Sequence, residues 1–484
     1  MRRFTVKVIK KNRSVKFNAF LNVIKELMSI IFPMITFPYA TRVLGLDNYG
    51  KYTFSASIVN YISYIAAAGI MRYAIRECAK VRDDRKKRDE LISEIFTLNV
   101  ITTVVAYIVL AFLMVFWKRL DAYAPIILTI SISVLFTTLG TDWINAANED
   151  YLFITIRYIC CQGIAIVAMF LLVRSRSDVV WYALVSVLGS LLANIANFVH
   201  IRRSLNIFPK IVFGRTIKKH IRPILYLFAS TIATFIYINS DVTMLGIFKT
   251  DSVVGLYGVS TKFYTMIKQL INAAFVVVIP RISRGIVKDK EKTAGKLSEI
   301  LNITLLITIP AASGLFMVRR SLILLFAGSE YIQAEASLAI LAIALIPALL
   351  ANFFINIVLI PLGKEKNVMI ATVTSAIINV LLNFVLIPLY AERGAAFTTL
   401  LAELTMTIMG IYYSKNMKFK KIRKAFTGSI ISALIIIGIC LVVNHNIENY
   451  FLSLVMCVIF SVAAYGCIMI ACYREKALKL IKRG

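Results

Sequence analysis

Of the ionisable side chains inside long apolar runs, seven are singled out: Lys25, Glu26, Arg72, Asp241, Lys262, Lys268 and Glu403. A charge at bilayer depth costs about 3 kcal/mol on insertion scales, so it is expected to face a cavity or a partner. Depth separates the seven. At about 1.5 Å per residue, Lys268 lies roughly 22 Å from the outer end of its run and roughly 18 Å from the inner end, too deep to snorkel easily. Lys262 is nearer the outer surface and can snorkel. Arg72, near an inner end, reads equally well as an interface anchor. Lys25 and Glu26 sit about two turns into the first run, where charges on a neighbouring helix can pair with them. Glu403 is near the middle of its run, with no partner that spacing identifies. Lysine binds phosphate as a point charge and arginine binds it as a fork. Lys25, Arg72, Lys262 and Lys268, with Asn272 beside them, are therefore candidates for holding an anionic ligand. Glu26, Asp241 and Glu403 instead suit a coupling proton or small cation.

These charges lie on polar stripes. Asn18, Asn22, Glu26, Ser29 and Pro33 recur at helical spacing, as do Ser230, Thr234, Tyr237 and Asp241. Thr261, Thr265, Lys268 and Asn272 form a third stripe, Asn379 and Asn383 a fourth, and Thr399, Glu403 and Thr407 a fifth. Three- and four-residue steps put each set on one helix face. Interhelical hydrogen bonds, at about 0.6 kcal/mol each, account for the Ser and Thr. They account poorly for Lys268, Asp241 and Glu403, which predict a water-filled, charged cavity.

The elements that must carry these residues are membrane helices. Apolar residues make up 59% of the 484, above the 45–50% or so of soluble domains. Runs of the length that crosses a bilayer are expected at 18–40, 51–74, 93–116, 122–143, 151–173, 178–199, 222–248, 253–280, 299–322, 332–358, 367–388, 394–413, 425–444 and 449–472. The expected fold is all-α and integral to the membrane, with about 14 transmembrane helices and both termini cytoplasmic. Loop charge supports that orientation. The segments it places inside hold 40 of the 55 Lys and Arg, and the outer segments hold 10. One missed helix would invert this pattern downstream. The net charge of +30 is thereby explained without nucleic acid, which needs a basic patch on a soluble surface. Trp117, Trp143 and Trp181 fall at helix ends, as an aromatic belt would place them. The basic first 17 residues lack a short apolar stretch with a cleavage site, so the first helix is expected to be retained.

A weak internal repeat is visible. Residues 43–52 read VLGLDNYGKY and residues 244–258 read MLGIFKTDSVVGLYG. In both, Leu-Gly ends a run, a turn with Asp follows, and Tyr-Gly opens or lies within the next run. An offset of six helices implies a parallel repeat about an axis along the membrane normal. The expected organisation is two six-helix lobes, 1–200 and 201–424, followed by two further helices and a tail at 425–484.

Catalytic chemistry is not expected. No Walker A motif is present, no long outer loop carries paired carboxylates, and neither a metal site nor a cofactor is foreseen. Seven cysteines, all but Cys78 in predicted helices and without a CxxC pair, read as apolar fillers. Pro33, Pro38, Pro310, Pro347 and Pro388 fall in or near helices, where they permit bending.

The run Pro38-Tyr-Ala-Thr-Arg42-Val-Leu-Gly45-Leu-Asp-Asn-Tyr49-Gly50-Lys-Tyr52 resembles the first hairpin of the Wzx-type polysaccharide flippases (O-antigen repeat-unit exporters). These belong to the multidrug/oligosaccharidyl-lipid/polysaccharide exporter superfamily. Asn239-Ser-Asp241, Leu245-Gly246, Val254-Gly255-Leu-Tyr257 and Lys262 are similar to that family's helix 7–8 region. Asn383-Phe-Val-Leu-Ile387-Pro388, then Gly394-Ala-Ala396 and Glu403, resemble its helix 11–12 hairpin. Asp47-Asn48 stands where relatives often carry Pro-Glu.

The resemblance implies a V-shaped two-lobe fold with a cavity among helices 1, 2, 7 and 8 and their neighbours. It implies an undecaprenyl-pyrophosphate-linked oligosaccharide as substrate, flipped from inner to outer leaflet of the bacterial cytoplasmic membrane for capsule, O-antigen or a related polymer. By that analogy Lys25, Arg72, Lys262 and Lys268 bind pyrophosphate or acidic sugar, and Asp241 and Glu403 couple H+ or Na+. Membrane lipids, and the polymerase and glycosyltransferases of the same pathway, are the implied partners. A lipid II flippase or a multidrug/cation antiporter of the same superfamily is the alternative. Drug export predicts an acidic cavity, whereas Lys and Arg outnumber acids here. A membrane glycosyltransferase would need catalytic carboxylates on a long outer loop.

Overall fold

The computed structural model describes residues 15–81, 84–148, 150–276, 290–415, 417, 419 and 422–481. The basic N-terminal stretch, most of the basic segment expected at 281–298, and the side chains of Asn18, Ser230 and Thr234 lie outside the described residues. All regular elements described are helices: α1 Val15–Ala67, α2 Ile70–Lys80, α3 Arg85–Phe116, α4 Ala124–Gly140, α5 Trp143–Ala147, α6 Tyr151–Leu172, α7 Val179–Arg203, α8 Lys218–Phe248, α9 Asp251–Val276, α10 Lys290–Leu322, α11 Ala334–Asn352, α12 Glu365–Tyr413, α13 Ile422–Asn446 and α14 Tyr450–Ile481. Ten helical stretches among the described residues are long and apolar enough to cross a membrane. The chain is a multi-pass membrane protein.

Two runs expected as hairpins are continuous helices with one broken residue each. Within α1, Gly45 has φ 73° and ψ 176°, a conformation that favours a residue without Cβ. Within α12 the break is Ala391, at φ 51° and ψ −129°. The expected polar turn at 45–50 is therefore helical apart from Gly45. The second expected span, 51–74, ends sooner, at Ala67. Ala68 (φ 43°) and Gly69 (φ 72°) turn the chain, and α2 follows as a separate helix. A Cβ on Gly69 would meet the Leu227 Cβ at 3.0 Å and the backbone of Leu227 and Phe228 at 3.2 Å, so glycine suits both the left-handed turn and the close approach there.

The chain divides into two compact units. Unit 1 comprises the described residues within 1–36 and 54–235, and unit 2 those within 37–53 and 236–484.

In unit 1, the buried faces of α2 (Ile70, Tyr73, Cys78) and α3 (Leu91, Ile92, Ile95) pack with Trp143, Ile144, Ile201 and Ile224 into one core. Trp143 is thus interior, 4% exposed, and not part of an interfacial belt. Capping starts α3: the Lys87 N–H donates to Asp84 Oδ1 at 3.2 Å and holds that carboxyl below the usual range. Before α7, the backbone N–H groups of Arg174 and Ser175 donate to Asp178 at 2.9 and 2.8 Å, with the same effect on its carboxyl.

In unit 2, the 37–53 limb of α1 is held from two sides. The Leu46 N–H donates to Glu330 Oε2 at 3.3 Å, and the Tyr331 hydroxyl donates to the Thr41 carbonyl at 3.2 Å. Against α9 the limb approaches backbone to backbone. A Cβ on Gly255 would lie 2.5 Å from the Leu46 carbonyl oxygen, and one on Gly50 would overlap the Asp251 carbonyl. Small residues allow such contact in membrane helices, where apolar burial alone drives little association. After Pro347, α11 passes into a π-helical segment over Phe353–Leu359, a local rewinding associated with kinks and with function.

Candidate functional site

Four helical segments of unit 2 bring together most of the residues that the stripes singled out. Asp241 on α8 is 5% exposed. Its carboxylate accepts from Asn383 Nδ2 at 2.6 Å, from the Tyr257 hydroxyl at 2.7 Å and from Thr399 Oγ1 at 2.5 Å. A second shell fixes those donors. Asn379 Oδ1 accepts from Ser240 (2.8 Å) and Asn383 (3.2 Å), and Thr398 donates to Asn383 Oδ1 at 2.5 Å. Among the described residues the carboxylate is held by neutral donors alone. Such a cluster satisfies a buried acid, and the Asp, Thr and Tyr oxygens that meet in it are of the kind a small hard cation takes.

One turn along α12, Glu403 is 3% exposed and pairs with Lys268 of α9. Lys268 Nζ to Glu403 Oε1 is 2.6 Å. Tyr264 bridges them: its hydroxyl donates to Glu403 at 3.0 Å and accepts from Lys268 at 3.4 Å. The pair is lopsided, since the Lys268 side chain keeps 27% of its surface open and Glu403 keeps 4%. An ammonium that is paired yet reachable is a point-charge site for an oxyanion.

The remaining candidates have other surroundings. Lys262, half-buried on α9, has no hydrogen bond or ion pair among the described residues. Asn272 belongs to an asparagine ladder, accepting from Asn352 at 2.9 Å, while Asn352 in turn accepts from Asn356 at 2.5 Å. Lys25 and Glu26 lie in unit 1 and are 3.9 Å apart, with side chains 33% and 50% exposed. Arg72 is exposed on α2, beyond the break at Ala68 and Gly69.

Three constellations escaped the sequence reading. Tyr264, four residues before Lys268, shares its face and could have been found by that spacing. Arg157 of α6 is 8% exposed and bonds Asp142 at 2.7 Å; a charge inside a span was the available signal. His220, at the start of α8, joins the Tyr73 hydroxyl (2.5 Å) and Glu94 (2.8 Å), a junction with no signature in sequence.

Comparison with known proteins follows this geometry. A candidate O-antigen transporter of Escherichia coli (strain K12) is 22% identical over 262 residues, 54% of this chain and 63% of that protein. A second, from Shigella dysenteriae, is 21% identical over 340 residues, 69% of this chain and 84% of its own length. Among solved structures, the lipid II flippase MurJ in an inward closed conformation superimposes with a TM-score of 0.74 at 15% identity, covering 96% of this chain and all of MurJ. An inward-facing multidrug resistance MATE family transporter of the MOP superfamily gives 0.64 at 13% identity, over 82% of this chain and 97% of its own. At such identities these likenesses establish the fold alone. The proteins matched are transporters and a flippase, not enzymes. The family model described as polysaccharide biosynthesis protein matches residues 15–286, and the chain belongs to that family.

Proposed function

We propose that this protein flips undecaprenyl-pyrophosphate-linked oligosaccharide from the inner to the outer leaflet of the bacterial cytoplasmic membrane, for a surface polysaccharide. The observation that carries the reading is the Lys268–Glu403 pair. It is a deep ammonium with an open side, in a chain of the polysaccharide biosynthesis family. Lys268 is the principal pyrophosphate contact, with Lys262 and Asn272 of the same helix as further contacts for phosphate or sugar; within unit 1, Lys25 and Arg72 are the candidates of that type. Asp241 is the coupling carboxylate that its three neutral donors suit best, and it takes H+ or Na+. Glu26 and Glu403 are the other acids of that role. An apolar groove of about 410 Å³, lined by Pro310, Gly314, Leu315, Ile436, Val458 and others, offers carbon surface to a lipid chain.

Fourteen crossings in two repeated lobes, with both ends cytoplasmic, remain the topology of this reading. Its support is that α1 and α12, of 53 and 49 residues, each contain one break, and that α8 and α9 add runs of 31 and 26 residues. Alternating access of the anion-binding site to the two leaflets supplies the movement. Pathway glycosyltransferases load the carrier, and a polymerase consumes it.

The test is depletion of the protein in cells, followed by assignment of the leaflet in which undecaprenyl-linked oligosaccharide accumulates. The expected result is one complete repeat unit on the cytoplasmic face, with its composition given by mass spectrometry. Arrest of lipid II instead would replace this reading with the lipid II alternative.

A further inference from the structure

The partner of Lys268 is itself an oxyanion. Glu403 presents a carboxylate oxygen 2.6 Å from the ammonium, at the distance and with the charge that a phosphate oxygen of a transported ligand would adopt. It approaches from the buried side, while the side open to a ligand is the lysine's. Tyr264 is poised for either state: its hydroxyl donates to Glu403 and accepts from Lys268, so Glu403 keeps one hydrogen bond when the lysine turns away. Lys268 also lies 5.3 Å from the Tyr264 ring centre, within the range where an aromatic face attracts a cation.

We propose that Glu403 is the internal competitor of the transported oxyanion for Lys268, and that its recapture of the lysine releases the ligand. This rests on the flippase reading and assigns Glu403 a positioning role within it. An anion entering the site draws Lys268 from Glu403, which lowers apparent affinity by the fraction of lysine that stays paired. Once the loaded site opens to the other leaflet, the carboxylate takes the lysine back and the anion leaves. Tight binding alone does not speed turnover, so a site without this competitor holds its ligand and works slowly. No covalent step or external reductant is involved; the exchange is of one ion pair for another.

The experiment titrates undecaprenyl pyrophosphate against the full chain in nanodiscs, and separately measures surface polymer in cells carrying each variant. Glu403→Gln keeps the size and the hydrogen bond from Tyr264 but removes the charge. The expected result is a Kd lower by about tenfold or more together with reduced polymer output. A purely structural role predicts the opposite for affinity. Lys268→Ala alone strands a buried carboxylate, so the loss-of-binding arm uses Lys268→Ala/Glu403→Ala, which removes both charges and is expected not to bind. Wild type that binds while Glu403→Gln binds equally or more weakly overturns the inference and leaves the flippase reading standing. If neither wild type nor Glu403→Gln binds the probe, the flippase reading falls and the inference with it.

Discussion

The side-chain amide of Asn383 lies 2.6 Å from the carboxylate of Asp241, joining α12 to α8 at a point where both residues are fully enclosed. With Tyr257 and Thr399 as the other donors, three neutral groups converge on one acid. Asp241→Asn should preserve the shape of this cluster and abolish its attraction for a small cation. If Asp241 is the coupling site, the melting temperature of purified wild type responds to NaCl against choline chloride or to pH, and that of Asp241→Asn does not. The variant should also lose about 1–3 kcal/mol, because an amide N–H₂ now faces donors. An unaltered ion response in Asp241→Asn removes this residue from coupling.

In unit 1, His220 Nε2 is 2.8 Å from Glu94 and Nδ1 is 2.5 Å from the Tyr73 hydroxyl. One tautomer serves both bonds: Nε2–H donates to the carboxylate and Nδ1 accepts from the phenol. The histidine therefore ties α2, α3 and the first turn of α8 together. His220→Ala should destabilise the protein by about 1–3 kcal/mol through two stranded polar groups, and His220→Gln should recover part of that. Protease sensitivity at α2 and thermal melting check this; equal stability of His220→Ala and wild type would show the junction to be idle.

The sequence and the structure agree most where the physics is local. Span lengths follow from bilayer thickness, and polar stripes follow from helical period, so α3, α6, α7, α13 and the inward faces of α8, α9 and α12 were legible. What was not legible depends on which faces meet. Lys268 and Glu403 stand 135 positions apart, and spacing assigns each to a face without saying that the two faces touch. The end of α1 at Ala67, with positive φ at Ala68 and Gly69, comes where Gly69 lies close to Leu227, a contact from far along the chain, so the separate helix α2 that carries Arg72 had no signature in residues 51–74. The π-helical turn at Phe353–Leu359, which begins six residues after Pro347, has no residue pattern of its own.

Backbone contact at Gly50 and Gly255 admits no side-chain remedy, since the obstructing atoms are the Asp251 and Leu46 carbonyls. Gly255→Val should push the 46–53 limb of α1 off α9 and cost about 1–3 kcal/mol from overpacking, or more if the limb detaches. Gly163 is the control: it lies within α6 with nothing within 4 Å of its Cβ position. Gly163→Ala should be neutral or stabilising by up to about 1 kcal/mol, as in any helix interior. Melting of the two variants in the same detergent separates packing from propensity, and a neutral Gly255→Val would refute the close approach.

Arg157 and Asp142 form an ion pair whose halves are unequally wet. The bond is 2.7 Å, but the Arg157 side chain is 7% exposed and that of Asp142 is 37% exposed. Removing one partner of a buried pair is harmful because the other charge is left desolvated. That penalty falls only on the half that water cannot reach. Asp142→Asn strands the arginine, whose Nε and Nη1 already lack partners among the described residues, and should cost about 3–5 kcal/mol. Arg157→Met keeps a long apolar side chain, loses only the approach of the guanidinium to the Phe153 ring at 5.4 Å, and leaves a carboxylate that rehydrates, so its cost should be no more than about 1–2 kcal/mol. A double-mutant cycle on thermal stability measures the asymmetry directly. If Arg157→Met costs as much as Asp142→Asn, the carboxylate is not free to reach water, and the pair is as buried on its acidic side as on its basic one.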